Sequence, residues 1–299
     1  MRYPKTRLRG LIVVLLAVAC FPAWAASRTT VEPPAQVAVS PSRFELEIGS
    51  KPTTESLTLF NYSDDPMKIQ VSVANWDLDD ANQIRILEPN EQSLDQWLVI
   101  NPLQFTVPGK KSQTVRFSIR PRIQPEPGEH RAMIYFDQQL DPEAASTKVR
   151  IKFRLGVAIY GYAGGSHREG NLNSVRVISG ADPVLAKFDI ASTGSSHVRM
   201  IGRYAIWPAD DYPGFENTPN TMDSNEPDQP IPEVVASGAL PSRPVLPGTR
   251  REVMLQTTAS LPPGAYVLDV NGRMSEQPID LGIPFNIPYR AQVSGPAPE

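Results

Sequence analysis

Apolar and polar residues alternate with a period of two along most of this chain. Lys68-Ile69-Gln70-Val71-Ser72-Val73 sets Ile69, Val71 and Val73 on one side and polar residues on the other. That is the pattern of a β-strand with one buried and one solvated face. Similar runs occupy 37–39, 44–48, 56–60, 83–86, 97–101, 114–119, 128–136 and 148–160, with turn residues between them. A second series covers 174–177, 186–190, 198–207, 251–255, 265–270 and 283–287. The two series meet at Ala163-Gly164-Gly165-Ser166, a small-residue linker. Many short strands with regular turn signals predict an all-β protein of two immunoglobulin-like β-sandwich domains in tandem. The expected bounds are 37–162 and 163–299, preceded by an extension at 26–36.

Composition sharpens this picture. The chain carries 31 prolines and 19 glycines, which is incompatible with long helices. Residues 208–232 are dominated by Pro, Asp, Asn, Glu and Thr, a composition that buries no core and predicts a long, mobile excursion from the second sandwich. Pro262-Pro263-Gly264 precedes a strand much as Pro125-Glu126-Pro127-Gly128 does, so the two domains read as related architectures.

The first residues predict the compartment. Arg2, Lys5, Arg7 and Arg9 precede an apolar run from Leu11 to Cys20, and Ala23-Trp24-Ala25 follows. This is the layout of a cleaved secretory signal peptide at 1–25, with an apolar run too short to span a membrane. Cleavage removes four positive charges and takes the formal net charge from −3 to −7. A mildly acidic chain of this kind gives no support to nucleic-acid binding. Ala17-Val18-Ala19-Cys20 also loosely matches a lipoprotein site, which would leave Cys20 lipidated. Cys20 is the only cysteine, so ordinary cleavage removes disulfides, thiolate metal sites and a cysteine nucleophile together.

The run from Lys148 to Tyr160 is the longest. Val149, Ile151, Phe153, Leu155, Val157 and Ile159 occupy every second position, with Arg150, Lys152 and Arg154 between them. All six apolar side chains therefore project from one face. Either that face covers the core of its own sandwich, or the strand extends past its sheet and offers the face to a partner. An unpaired apolar edge is otherwise an aggregation hazard, and it permits self-association.

Several segments together resemble the periplasmic chaperones of the chaperone–usher pathway, the PapD-like family. They are Val39-Ser40-Pro41-Ser42-Arg43, Trp97-Leu98-Val99-Ile100-Asn101-Pro102, 113–120 and 128–136, in that order and spacing. The resemblance covers most of 37–160, and the second domain matches at the level of fold. It implies a periplasmic protein that lends a strand to pilin subunits lacking their own last strand, a known mode of strand addition. It also implies that two basic cleft residues hold the subunit's C-terminal carboxylate and so fix the register. An outer-membrane usher then receives the subunit, without cofactor or nucleotide. On this resemblance Arg43 is the first anchor. Lys152 is the candidate for the second through Arg150-Ile151-Lys152-Phe153. Alignment on the strand's end leaves an uncharged Val157 there, with Arg154 as the alternative; Arg suits a bidentate carboxylate contact. The insertion at 208–232 marks a divergent member.

Other chemistries lack their signatures. His130, His167 and His197 lie beside no Gly-x-Ser-x-Gly elbow, and no phosphate loop or metal-ligand pair is present. Asp77, Asp79 and Asp80 lack the spacing of a calcium loop and read as a solvated turn. Asn61-Tyr62-Ser63 is a glycosylation sequon in form. The expected protein is not an enzyme, binds no metal and does not span the membrane. The rival reading is an exported structural or adhesive sandwich protein whose long strand is covered within its own fold.

Overall fold

The computed structural model describes residues 36–140, 152–178, 180, 182–218 and 233–289. The signal peptide, Cys20, most of the 26–36 extension and residues 219–232 of the insertion lie outside them. The described residues are all-β, with a few turns of 3₁₀ helix.

The first sandwich packs two sheets. One holds β1 (Val37–Ser40), β3 (Thr53–Asn61), β8 (Ser112–Ile119) and β6 (Leu98–Asn101). The other runs β2 (Arg43–Glu47), β10 (Arg154–Ala163), β9 (Gly128–Gln139) and β4 (Met67–Leu78), with β5 (Ile84–Leu87) and β7 (Gln104–Val107) both paired to β4. The strands are antiparallel except for β2, which runs parallel to β10, the last strand of this sandwich. The period-two positions meet between the sheets. Leu57, Leu59, Ile69, Val71, Val115, Phe117, Ile134, Phe136, Val157 and Ile159 are all buried there.

The second sandwich repeats the plan. β11 (Gly170–Ile178), β12 (Leu185–Ser192) and β15 (Arg250–Gln256) face β14 (Ala236–Ala239), β13 (Met200–Pro208), β16 (Gly264–Met274) and β17 (Gln277–Ile287). The two Pro-Gly openings noted in the sequence start β9 and β16, the equivalent strands of the two domains. Between the sandwiches, Gly164 and Gly165 both take positive φ, 65° and 74°. Only glycine adopts that backbone freely, so the chain leaves β10 through these two residues without strain on its way to β11.

One expectation changes here. The first part of the insertion is not an excursion: 209–218 folds back on the second sandwich as two short 3₁₀ turns, Ala209–Asp211 and Phe215–Asn217. The Tyr212 hydroxyl donates to Asp269 Oδ1 at 3.0 Å, so the outward face of β16 is covered and Asp269 is buried. A polar stretch packs because it supplies the Tyr212 ring and the hydrogen bonds of Tyr212 and Thr218 to a buried carboxylate. The sequon is likewise structural. Asn61 is buried, and its Nδ2 donates to the carbonyls of Asp65, Val107 and Pro108 while its Oδ1 accepts from Ser63. Its amide is committed to closing a turn and is closed to modification.

Candidate functional site: the open edge of β10 and the cleft

β10 has two edges. Its β9 edge is paired along the full strand, from Arg154↔Asp137 to Ala163↔Gly128. Its other edge is paired with β2 only from Ala158↔Arg43 to Tyr162↔Glu47. Among the described residues, nothing pairs with that edge from Arg154 to Val157. β2 therefore stops where the open stretch ends, and Arg43 stands at the junction. An added strand parallel to β10 would lie in line with β2, and its C-terminal end would point at Arg43.

The apolar face of this strand divides in two. Val157 and Ile159 are fully buried in the first sandwich, across from Ile134 and Ala132 of β9. The expectation that they face a partner is corrected: their parity points them inward, and the opposite sheet covers them. Phe153 and Leu155 share that parity but are only half-buried, packed at the margin of the core. Val149 and Ile151 lie outside the described residues.

The expected pairing of cations does not form either. Ala158 stands beside Arg43 in the register. Lys152 is six residues away along the chain and Arg154 four, roughly 20 Å and 13 Å at the rise of a strand. Lys152 is exposed. Arg154 is committed across the β9–β10 pair, giving Nε to Asp137 Oδ1 at 2.6 Å and a terminal nitrogen to Oδ2 at 3.2 Å, with Tyr135 under its guanidinium.

The cation that does approach Arg43 comes from the second sandwich. Arg199, which precedes β13, donates to the Tyr160 hydroxyl at 2.8 Å, to the Ser242 carbonyl at 2.7 Å and to His197 Nε2 at 3.0 Å. None of these three acceptors is a carboxylate. Burial and the charge of nearby Arg43 pull the Arg199 guanidinium below its ordinary value, with Tyr160 and Glu45 offsetting part of this. A partly buried guanidinium with no carboxylate partner among the described residues, and under the charge of Arg43, favours an anion.

Around these cations lies a buried polar network joining the sandwiches. His197 and Glu129 are almost wholly buried, and Nδ1 of His197 meets Glu129 Oε2 at 2.6 Å. The same oxygen accepts the His197 backbone N–H at 2.8 Å, and Arg131 gives Oε1 a bond of 3.0 Å. Burial pushes the Glu129 carboxyl up, but these bonds outweigh it and hold it below the usual range. Glu45 of β2 accepts from Arg43 at 3.2 Å, from Arg168 at 2.6 Å and from the Tyr162 hydroxyl at 3.0 Å. Farther along, Arg251 donates to the carbonyls of Leu78 and Asp79, which gives the acidic turn after β4 a structural partner. Trp76, Leu78, Met133, Tyr160, Tyr162 and Leu246 form a separate apolar cluster across the junction.

Sequence reasoning missed Arg199, Glu129 and His197. The available signal was weak: Glu129 and His197 both stand among polar neighbours, and 68 positions separate them. Among the described residues, no group of three His, Cys, Asp or Glu is placed to hold a metal ion, and no helix is long and apolar enough to cross a membrane.

No family model matches the chain, and no curated protein matches it in sequence. Among solved structures it is similar in fold to CfaA, a class 5 fimbriae chaperone, at 14% identity over 83% of this chain and 98% of that one, with a TM-score of 0.41. It is also similar to a structure of CsuC with the tip adhesion subunit CsuE from Acinetobacter baumannii, at 12% identity, 83% and 98% coverage and a TM-score of 0.43. The E. coli chaperone DraB is similar at 14% identity, 83% and 96% coverage and a TM-score of 0.42.

Proposed function

We propose that this protein is a periplasmic chaperone that lends β10 to an incomplete β-sandwich subunit of a pilus and passes it to an outer-membrane usher. The observation that carries this reading is the open edge of β10 from Arg154 to Val157, in line with β2 and ending at Arg43. A client strand added there in parallel gains backbone hydrogen bonds along its length. Its terminal carboxylate arrives between Arg43 and Arg199, which take the anchor role that sequence reasoning gave to Arg43 with Lys152 or Arg154. The side chains left for the client's groove are Phe153 and Leu155, with Val149 and Ile151 before them. No step requires a cofactor or bond-making chemistry.

The test is co-expression with candidate pilin subunits and recovery of the complex from the periplasm. Wild type brings down a subunit in stoichiometric amount, and Arg43→Ala does not. Recovery of no subunit by soluble, folded wild type would overturn the reading. A second reading, an exported structural or adhesive sandwich protein, is favoured by the burial of Val157 and Ile159 in their own core. Under it Arg43→Ala changes nothing that binds.

A further inference from the structure

His197 sits where its hydrogen bonds define its protonation state. An arginine Nε–H only donates, so the 3.0 Å contact from Arg199 requires a bare Nε2 on His197. The proton is then on Nδ1, donated to Glu129 Oε2 at 2.6 Å. A second acceptor stands near the bare nitrogen: Glu45 Oε1 lies 3.9 Å from Nε2, and that same oxygen holds Arg43 at 3.2 Å.

We propose that His197 is a proton-operated switch that trades Arg199 for Glu45 as the partner of its Nε2. In the neutral state Nε2 accepts from Arg199, and Glu45 Oε1 is left to Arg43. Proton uptake places an N–H on Nε2, which repels the Arg199 Nε–H and turns to Glu45. Glu45 then shares Oε1 with the imidazolium at the expense of Arg43. One proton thus loosens an internal tie on each of the two cleft guanidiniums.

The groups around the ring set both sides of this balance. Glu129 and Arg131 face it from β9, and the Tyr160 ring of β10 lies 4.3 Å away. Glu45 and Arg43 approach from β2, with Arg168 and Tyr162 on the far oxygen of Glu45. Arg199 follows it in its own chain. Glu129 and Glu45 favour the cation, while Arg199, Arg43 and Arg131 oppose it. Both states therefore have partners, which is the requirement for a two-position element. Resting on the carboxylate-anchor reading, the consequence for function is tighter capture of a chain terminus on acidification, by roughly fivefold or more.

The test is nitrogen NMR of the imidazoles of the full chain as the pH is lowered. There are three histidines, so subtraction with His130→Gln and His167→Gln identifies His197 even if its own replacement unfolds the protein. The expected result is a protonated Nδ1 and bare Nε2 at neutral pH. Nε2 then gains its proton while Arg199 Nε–H and the Glu45 carboxyl carbon shift with the same midpoint, before unfolding. Glu45→Gln should uncouple the Arg43 signals from that midpoint. A proton on Nε2 at neutral pH, a titration that leaves Arg199 and Glu45 unmoved, or a neutral ring up to unfolding would each overturn it. No client is needed, so the switch and the strand-lending reading fail separately.

Discussion

Ala158 stands directly beside Arg43 across the parallel pair of β2 and β10. Lys152 and Arg154, the residues that the family resemblance offered as the second anchor, both lie further back along the chain from this junction. In the proposed carboxylate site, Arg199 of the second sandwich supplies the other guanidinium, so both domains would contribute to it. Arg43→Ala and Arg199→Ala should each abolish recovery of a client, whereas Lys152→Ala and Arg154→Ala should leave it near wild type. Arg154→Ala leaves the buried Asp137 carboxylate without its partner and should cost roughly 1–3 kcal/mol of stability. Pull-down yields and denaturant midpoints for the four variants check this.

The division of the β10 face predicts two different kinds of damage. Ile159→Ala removes a wholly buried side chain and should destabilise the protein by roughly 2–5 kcal/mol. Leu155→Asp lies at the half-buried margin and should leave a folded protein that captures nothing. Urea unfolding and client recovery, measured on both variants, separate the roles. Equal unfolding by both would assign the whole face to the internal core.

Glu129 holds the two sandwiches together through His197, and its carboxyl lies below the ordinary Glu value. A depressed carboxyl contributes stability that is present above that ordinary value and is lost as pH falls through the folded-state value. Glu129→Ala leaves Arg131 without its buried counter-charge and the His197 Nδ1–H without its acceptor, and should cost about 3 kcal/mol. The acid limb of the stability curve should flatten with it, as thermal unfolding from neutral to acid pH would reveal.

Asp269 has the opposite sign. Burial pushes its carboxyl up, and the hydrogen bonds from Tyr212 and Thr218 offset only part of that. Its contribution is therefore complete below the unfolded Asp value and is lost as pH rises through the folded-state value. Asp269→Asn removes the buried charge while keeping an acceptor for Tyr212. It should raise stability at neutral pH relative to wild type and reduce the difference between acid and neutral melting temperatures. An unchanged pH slope would remove Asp269 from this role.

The sandwiches were legible in the sequence because period-two alternation reports which side of a strand is dry. Ile69, Val71, Val115 and Phe117 all face inward as that pattern requires. Alternation carries no information on what covers the dry side, so Val157 and Ile159 looked identical to Phe153 and Leu155. The distinction comes from where β2 and the opposing sheet end, which is a tertiary fact. The cleft was less legible still. Arg199, His197 and Glu129 come together only when the linker glycines set the second sandwich against the first. The aromatic ring of Tyr212 did the same for the insertion, folding a composition suited to solvent onto β16.

The central claim is that the open stretch of β10 is where a client strand docks. The most direct measurement is disulfide trapping in the periplasm. The chain's single cysteine, Cys20, falls within the expected signal peptide, so Leu155→Cys introduces one thiol at the edge. Co-expressed pilin subunits carrying a cysteine in the strand that leads to their C-terminus should cross-link at one register, set by distance from that end, since a disulfide needs Cα atoms within about 7 Å. Arg43→Ala should blur that register. Absence of any cross-link at position 155, while the same subunits remain bound, would place the client elsewhere and contradict the account.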